Sequence, residues 1–269
     1  MVWIVSALSV ILFFVLLWLF CICPSLRRHP HLLLFRNARI AHRGLHDDTV
    51  PENSLTAFRR AAEAGFAIEN DIHITADGEI VVFHDDTLDR MCGVSGRPEE
   101  FTLAELKALR LAGRDEQIPT LAECLAVIDG RVPLLIEFKC RTGDVCARLC
   151  PAADAVLAEY KGVYWIQSFY PFVLSWYRKH RPDVCRGQLA TAFVGDKLHM
   201  RMLGMLLFNV FARPDFVSYE WKYRHKWNRR ICTALGAAPV GWTFRAEEEI
   251  KACKEDFAGF IFEGFLPKK

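Results

Sequence analysis

The sequence has little of what marks a nucleic-acid-binding, disulfide-stapled or repetitive protein. Its 34 basic and 32 acidic side chains leave a formal net charge of only +2, so no basic excess points to nucleic acid. The ten cysteines form no paired CxxC motifs at zinc spacing, and a chain of 269 residues does not need disulfides to fold. We therefore expect free thiols in a reducing compartment. The sequence shows neither a tandem repeat nor a low-complexity stretch.

Charged side chains are missing altogether from residues 1–26, and the run 2–22 is almost wholly apolar. A helix that spans a bilayer needs about 20 such residues. A cleaved signal peptide is the competing interpretation, but it requires a basic segment before the apolar run and small residues at the cleavage site. A buried core helix is a second alternative, for which the run is too long and too uniformly apolar. We expect a retained transmembrane anchor at 1–26 and a juxtamembrane linker at 27–38.

The orientation of this anchor follows from the charges beside it. Four arginines follow the apolar run and none precedes it; they are Arg27, Arg28, Arg36 and Arg39. The positive-inside tendency therefore predicts a single-pass membrane protein with its large domain in the cytoplasm, which agrees with the expectation of reduced cysteines.

After residue 38, short β-rich runs alternate with amphipathic helical runs. Nine strands are predicted, at 39–42, 66–74, 80–84, 132–138, 163–169, 187–190, 216–219, 240–244 and 259–262. The link from 74 to 80 is too short for a crossover helix, so the third strand should fold back as a hairpin. Eight β/α units then remain. They predict a TIM (β/α)₈ barrel over 39–269, with an insertion at about 75–119, and a doubly wound open sheet is the runner-up.

Acidic side chains concentrate on two of the predicted barrel strands. Glu69 and Asp71 are two residues apart and share a strand face, and Glu137 lies near the end of another strand. Three inward carboxylates need a compensating cation, and oxygen ligands of this kind suit Mg²⁺ or Ca²⁺. The alternative is simple ion pairing of these carboxylates with Arg43 or Lys139.

Histidines and cations occur at the same strand ends, where barrel active sites lie. His42 and His84 titrate near neutral pH, so one can accept a proton while the other donates one. Arg43 and Lys139 provide fixed positive charge for a phosphate group. Glu52 is a candidate for orienting His42 or Arg43. These residue types together predict phosphoryl-transfer chemistry.

An ordered set of motifs resembles the glycerophosphodiester phosphodiesterase family. The motifs are Ala-His-Arg-Gly at 41–44, Pro-Glu-Asn-Ser at 51–54, Ile-Glu-Asn-Asp at 68–71, Thr-Ala-Asp-Gly at 75–78, Val-Phe-His-Asp at 82–85, Ile-Glu-Phe-Lys at 136–139, Gln-Ser-Phe at 167–169 and Gly-Trp-Thr at 241–243. Each motif alone is weakly specific, whereas the full set in this order, covering about 39–265, is strongly specific.

This resemblance implies a TIM barrel that uses one divalent cation to hydrolyse glycerophosphodiesters to sn-glycerol 3-phosphate and an alcohol. By position, the metal ligands would be Glu69, Asp71 and Glu137, and the acid/base pair would be His42 and His84. Arg43 and Lys139 would hold the phosphate, and Trp242 would line the substrate side of the mouth.

The sequence departs from the family pattern at three places. Ser54 stands where threonine is commoner and keeps a hydroxyl cap, and Asn70 replaces an apolar residue and should face away from the site. Phe262 and Glu263 replace the usual Thr-Asp, which leaves the role of that strand end open. We also expect Asn53 to cap the following helix.

Other functions remain open at this stage. The enzyme could instead be a lysophospholipase D-type or cyclic-phosphate-forming lipid phosphodiesterase, or the barrel could be a non-catalytic membrane-anchored binding module. Residues 200–211 combine methionines with Leu and Phe, which suits either a lipid-facing surface or a helix buried against the barrel. The aromatic cluster around Trp227 could lie at a membrane interface, although ordinary packing is the simpler interpretation.

Overall fold

Eight parallel strands close into a barrel in the computed structural model. The structure describes residues 2–193 and 197–268. Met1 of the predicted anchor and Lys269 of the predicted barrel domain lie outside these ranges. The strands are β1 (Ala38–Ala41), β2 (Ala67–Ile74), β3 (Ile80–Val82), β4 (Leu134–Phe138), β5 (Tyr164–Ser168), β6 (Arg186–Ala190), β7 (Phe216–Glu220), β8 (Ala238–Phe244) and β9 (Gly259–Phe262). β1 pairs with both β2 and β9, which closes the barrel, while β3 pairs antiparallel with β2 as a hairpin. The predicted TIM barrel is confirmed, and the open sheet is excluded.

The first helix precedes β1, and the other helices connect the strands, most of them on the outside of the barrel. In chain order they are α1 (Val2–Ile22), α2 (Leu55–Glu63), α3 (Asp89–Cys92), α4 (Leu103–Lys107), α5 (Leu121–Ile128), α6 (Gly143–Ala158), α7 (Pro171–His180), α8 (Leu198–Gly204), α9 (Asn209–Ala212), α10 (Trp227–Ala234) and α11 (Glu247–Cys253). Capping boxes at Thr102 and Thr120 start α4 and α5, because each hydroxyl accepts a bond from the first turn and each third-position Glu bonds back.

The interior of the barrel is apolar at one end. Side chains alternate across each strand, so Leu135, Trp165 and Phe216 point inward and pack together. A short 3₁₀ helix (Pro30–Phe35) runs beneath them, and the Phe35 ring stacks on Trp165 with 4.2 Å between ring centroids. This packing closes the amino-terminal end of the strands. The inward polar side chains are left at the opposite end, where the strands reach their carboxyl termini, which is called the mouth below.

The segment between β2 and α5 forms a small layer of its own. β3, α3 and α4 enclose a second apolar cluster that includes Phe83, Leu88, Met91 and Leu106. The predicted strand at 80–84 ends at Val82 instead, where the register with β2 ends, and Phe83 packs in this cluster beside Val81. His84 follows immediately and lies over the mouth, where it lines the central cavity.

The predicted helix at 199–211 is broken into α8 and α9. Leu206 between them is fully buried with a φ of +62°, and this left-handed residue reverses the chain direction. Gly204 at the end of α8 passes so close to the carbonyl oxygen of Thr191 that a Cβ would lie 2.4 Å from it. Close backbone contact after β6 therefore shapes this region more than helix propensity does.

Candidate active site

Three carboxylates from two neighbouring strands meet at the mouth. Glu69 and Asp71 project from the same face of β2, and the parallel register places Asp71 opposite Glu137 of β4. One oxygen from each lies within 4.8 Å of the others, and all three side chains are buried. The sequence candidates for metal binding are thus brought into one cluster.

Two fixed cations lie against this trio. Lys139 Nζ is 2.6 Å from Glu137 and 2.9 Å from Asp71, and Arg43 Nε is 3.8 Å from Asp71. Burial opposes ionisation of Asp71, but Lys139, His84 and Arg43 outweigh it and hold the pKa of Asp71 far below its ordinary range. Burial and the neighbouring carboxylates raise the pKa of Glu69 well above its usual value, and burial raises that of Glu137.

This electrostatic balance fits a hard divalent cation. Three carboxylates face two fixed cations, so one negative charge is uncompensated when all three ionise. Burial first, and then the charges of Asp71 and Glu137, raise the pKa of Glu69 for this reason. Two further oxygens nearby, Asn53 Oδ1 and Gln167 Oε1, are buried without a hydrogen-bond partner in the described ranges. Oxygen-rich, negatively charged pockets are the environment that Mg²⁺ and Ca²⁺ prefer. The residues present therefore fit such an ion.

The ring of His42, just after β1, is held by a carboxylate that follows the neighbouring strand β9. Its Nδ1 lies 2.5 Å from Glu263 Oε2, just after β9, and Arg245 also donates to Glu263. Burial lowers the pKa of His42, and the bond to Glu263 opposes that effect; the same bond lowers the pKa of Glu263 to about 2. With Nδ1 directed to a carboxylate, Nε2 is the nitrogen left to exchange a proton with a substrate.

His84 has a matching partner in the next residue. Its Nδ1 lies 2.7 Å from Asp85 Oδ1, and burial lowers the pKa of His84. Arg90, on α3 of the insertion, donates to Asp85 through Nε at 2.6 Å and to Glu52 through Nη2 at 2.6 Å. Glu52 in turn accepts from Arg43 at 2.7 Å. A continuous series of charged hydrogen bonds therefore connects His84 of the insertion to Arg43 beside the carboxylate trio.

The mouth encloses a cavity of about 400 Å³ with two chemically different walls. Both histidines, Arg43, Lys139, Glu52, Glu69 and Glu137 line the polar side. Phe169, Leu189, Trp221 and Trp242 line the apolar side. The rings of Phe169 and Trp242 meet edge to face at 5.9 Å, and Trp242 Nε1 is buried without a partner among the described residues. A small polar group can bind at one wall while hydrocarbon contacts the other.

Sequence reasoning missed or misassigned several of these residues. The expectation that Asn53 caps α2 is wrong: Ser54 is the cap and accepts from Ala57 N, while Asn53 Nδ2 donates to Asp71 at 2.9 Å. Asn53 has a φ of +54°, a left-handed conformation that turns its amide toward the trio. The sequence leaves the role of Glu263 open and does not mark Arg90 as a candidate. A carboxylate directly after the last strand was the available signal for Glu263, whereas no local pattern marks Arg90.

The chain is similar to proteins of known family over most of its length. Residues 42–256 match the model of the Glycerophosphoryl diester phosphodiesterase family. A glycerophosphodiester phosphodiesterase of Caldanaerobacter subterraneus is 35% identical over 178 residues, which cover 61% of this chain and 70% of that protein. A human lysophospholipase D is 26% identical over 58% of this chain and 53% of its own length.

A solved structure gives a similar result for the fold. The phosphodiesterase of Oleispira antarctica, in complex with the product sn-glycerol-3-phosphate, superposes with a TM-score of 0.72 at 25% identity, covering 86% of this chain and 94% of that one. The similarity therefore extends over the whole barrel.

Proposed function

This chain belongs to the glycerophosphoryl diester phosphodiesterase family, and from that premise we propose how its own residues carry out the reaction. The reaction is the hydrolysis of a glycerophosphodiester to sn-glycerol 3-phosphate and an alcohol, as the sequence resemblance predicted. The observation that carries the proposal is the single cavity in which the buried carboxylate trio, two cations and two carboxylate-held histidines meet.

Substrate binding is assigned to the cations. Arg43 and Lys139 line the cavity and bind the phosphate oxygens, with Glu52 holding the Arg43 guanidinium in place. Glu69, Asp71 and Glu137 would hold one Mg²⁺ or Ca²⁺ ion, which when bound polarises the phosphate and offsets its developing negative charge. With a divalent ion the centre carries one excess positive charge, which matches the single negative charge of a phosphodiester.

Proton transfer is assigned to the two histidines. One takes the proton of the attacking hydroxyl through Nε2, and the other gives a proton to the leaving alcohol. Glu263 and Asp85 keep both rings in the tautomer that leaves Nε2 toward the cavity. Trp242 packs against the glycerol or alcohol carbons on the apolar wall. The attacking hydroxyl is that of water or of the substrate glycerol itself.

We also propose the domain and membrane assignments. Residues 1–26 anchor the chain, 27–38 join the anchor to the barrel, and 39–269 form the catalytic domain with its insertion at about 75–119. Support comes from α1, in which the stretch Trp3–Ile22 is long and apolar enough to cross a bilayer and residues 3–17 are exposed. The arginines that follow α1 favour a cytoplasmic barrel.

Purified full-length protein in detergent tests the proposal on glycerophosphocholine, with glycerol 3-phosphate release as the readout. EDTA should abolish turnover and Mg²⁺ or Ca²⁺ should restore it. His42→Gln and His84→Gln should each lower kcat by at least about 100-fold. The matched control is His180→Gln, an exposed histidine on α7, which should leave kcat unchanged. Full activity in EDTA, or in either cavity variant, would reject the assignment.

The same purified protein can be used to determine whether water or the substrate hydroxyl is the nucleophile. Phosphorus NMR during a single turnover should show a transient cyclic phosphate if the glycerol hydroxyl attacks. Direct appearance of glycerol 3-phosphate, with no cyclic phosphate at any time in the turnover, identifies water.

A further inference from the structure

The last turn of α1 is fixed to the side of the barrel. The Trp18 ring packs on Trp227 with 4.6 Å between centroids. Asn209 Nδ2 donates to the carbonyl oxygen of Ile22 at 3.0 Å, and Arg213 Nη1 donates to that of Cys23 at 2.8 Å. These contacts come from α9 and α10, so α1 joins the barrel at a defined place rather than through a free tether.

The same contacts give the direction of α1. Trp18 meets Trp227, the first residue of α10, whereas Ile22 meets Asn209, which also lies 3.5 Å from Cys232 in the second half of α10. The two helices therefore run in the same direction. α10 starts on the mouth side, after the carboxyl end of β7, and runs toward the closed end. The remainder of α1, residues 2–17 and about 24 Å long, consequently extends toward the mouth side.

Exposed apolar side chains surround this exit point. Phe172 on α7, Leu198 on α8, Met205 directly after α8, Phe211 on α9 and Trp227 on α10 form what we call the apolar patch, and each is at least 40% exposed. Basic side chains that are also exposed flank it; they are Lys197, Arg201, Lys222, Lys226 and Arg230. Apolar residues bordered by cations are typical of surfaces that rest in the headgroup region of a bilayer.

Phe169 and Phe172 bring the cavity and the patch close together. Phe169 lines the apolar wall and meets Trp242 at 5.9 Å between ring centroids. Phe172, three residues later, belongs to the patch and stacks with Phe211 at 6.4 Å. The Cα atoms of Phe169 and Phe172 are at most about 11 Å apart, so a hydrocarbon chain that leaves the cavity past Phe169 has only a short way to the patch.

We propose that the mouth faces the bilayer that α1 spans, with the apolar patch lying in its surface, and that the substrates are membrane-resident, single-chain glycerophospholipids. This deepens the proposed function and rests on it and on the proposed anchor. The phosphodiester enters the cavity between Arg43 and Lys139 while the acyl chain leaves past Phe169 toward the patch and the lipid. The interpretation of residues 200–211 as a lipid-facing surface is then favoured for the exposed Met205 and Phe211, whereas Leu203 and Leu206 are buried against the barrel.

The kinetic test uses full-length protein in vesicles of phosphatidylcholine and phosphatidylglycerol. The variant Phe172→Ser/Leu198→Ser/Phe211→Ser should lower the rate on vesicle-embedded lysophosphatidylcholine at least about tenfold, since three apolar side chains lose their lipid contacts. Its rate on water-soluble glycerophosphocholine should stay within about twofold, because none of the three lines the cavity.

A matched control changes three exposed leucines at the closed end, Leu26→Ser/Leu33→Ser/Leu34→Ser. Leu26 is 81% exposed and Leu33 66%, comparable with Leu198 at 72%. Leu26 follows Ser25, whose N–H donates to the carbonyl oxygen of Pro214 just before β7, and Leu33 and Leu34 lie on the 3₁₀ helix beneath the barrel. The control should keep both rates. Equal effects of the two triple variants on the embedded substrate would overturn the proposal.

A second measurement does not depend on the variants folding or on catalysis. Wild-type protein in the same vesicles is labelled with a lipid-soluble photoactivated diazirine and mapped by mass spectrometry. Label in α1 together with α7, α8 and α9 supports the proposal. Label confined to α1, or a patch shielded in a cross-linked dimer, overturns it. Absence of turnover on both substrates would instead reject the proposed function, while the labelling still decides the surface.

Discussion

Removing the carboxylate behind His42 should change both the rate and its pH dependence. Glu263→Gln keeps the shape and the hydrogen-bonding capacity of the side chain but deletes the negative charge 2.5 Å from Nδ1. Burial already lowers the pKa of His42, and Glu263 is the largest effect that opposes this lowering. The variant should therefore have a His42 pKa below that of the wild type.

The size of the effect follows from the burial of the pair. His42 and Glu263 are 15% and 16% exposed, so solvent screens their interaction only weakly. A hydrogen bond to a charged group contributes about 1.5 to 3 kcal/mol, and each 1.4 kcal/mol corresponds to a factor of about ten. We expect kcat to fall about 10- to 150-fold and the limb of the pH profile that reports His42 to move about one to two pH units toward acid.

The assay is the pH dependence of kcat/KM on a soluble glycerophosphodiester, with Asp85→Asn as the partner variant for His84. Because we propose one histidine as the acid and the other as the base, the two variants should shift opposite limbs of the profile, each toward lower pH. The limb that moves in Glu263→Gln then shows which role His42 has. Unshifted limbs, or the same limb shifted in both variants, would refute the reasoning.

Three further predictions follow from the geometry. Gly44→Ala should destabilise the fold by about 2 to 4 kcal/mol, seen as a lower thermal midpoint, because φ is +82° and the new Cβ would lie 2.8 Å from the Ala57 backbone. In EDTA the free energy of unfolding should fall as pH rises above 4.5, because the folded chain holds protons on Glu69 and Glu137 that the unfolded chain releases; saturating Mg²⁺ should remove this slope. Arg90→Met should lower kcat about tenfold with little change in thermal midpoint, because the carboxylates behind the catalytic groups lose their shared partner.

Much of the fold and the centre of the site could be predicted from the sequence. Alternation of strand and helix patterns gave nine strands, and the five-residue link after 74 identified the hairpin. Period-two spacing was enough to place Glu69 with Asp71 on one face, since β-strand geometry is local. The ordered motifs then predicted a family that the comparisons confirm.

What could not be predicted depends on backbone shape and on partners distant in sequence. The residue type of Asn53 predicts a helix cap. Its left-handed backbone turns the side-chain amide toward Asp71 instead, and Ser54 is the residue that caps α2. Glu263 and His42 are hydrogen-bonded although they are 221 residues apart in the sequence, and Arg90 and Glu52 although they are 38 residues apart. Spacing rules carry no information on such contacts. The break at Leu206 similarly follows from close packing against β6 rather than from propensity.

The central claim is that one divalent ion is held by the carboxylate trio, and calorimetric titration of metal-free protein with Mg²⁺ and with Ca²⁺ tests it most directly. We expect one site per chain for the wild type, and affinity reduced at least about tenfold in Glu69→Gln and in Glu137→Gln, because each removes a charged oxygen ligand. Glu79→Gln, which neutralises an exposed glutamate on the same hairpin, should bind like the wild type. Wild-type affinity in both trio variants, or no binding to the wild type, would contradict the account.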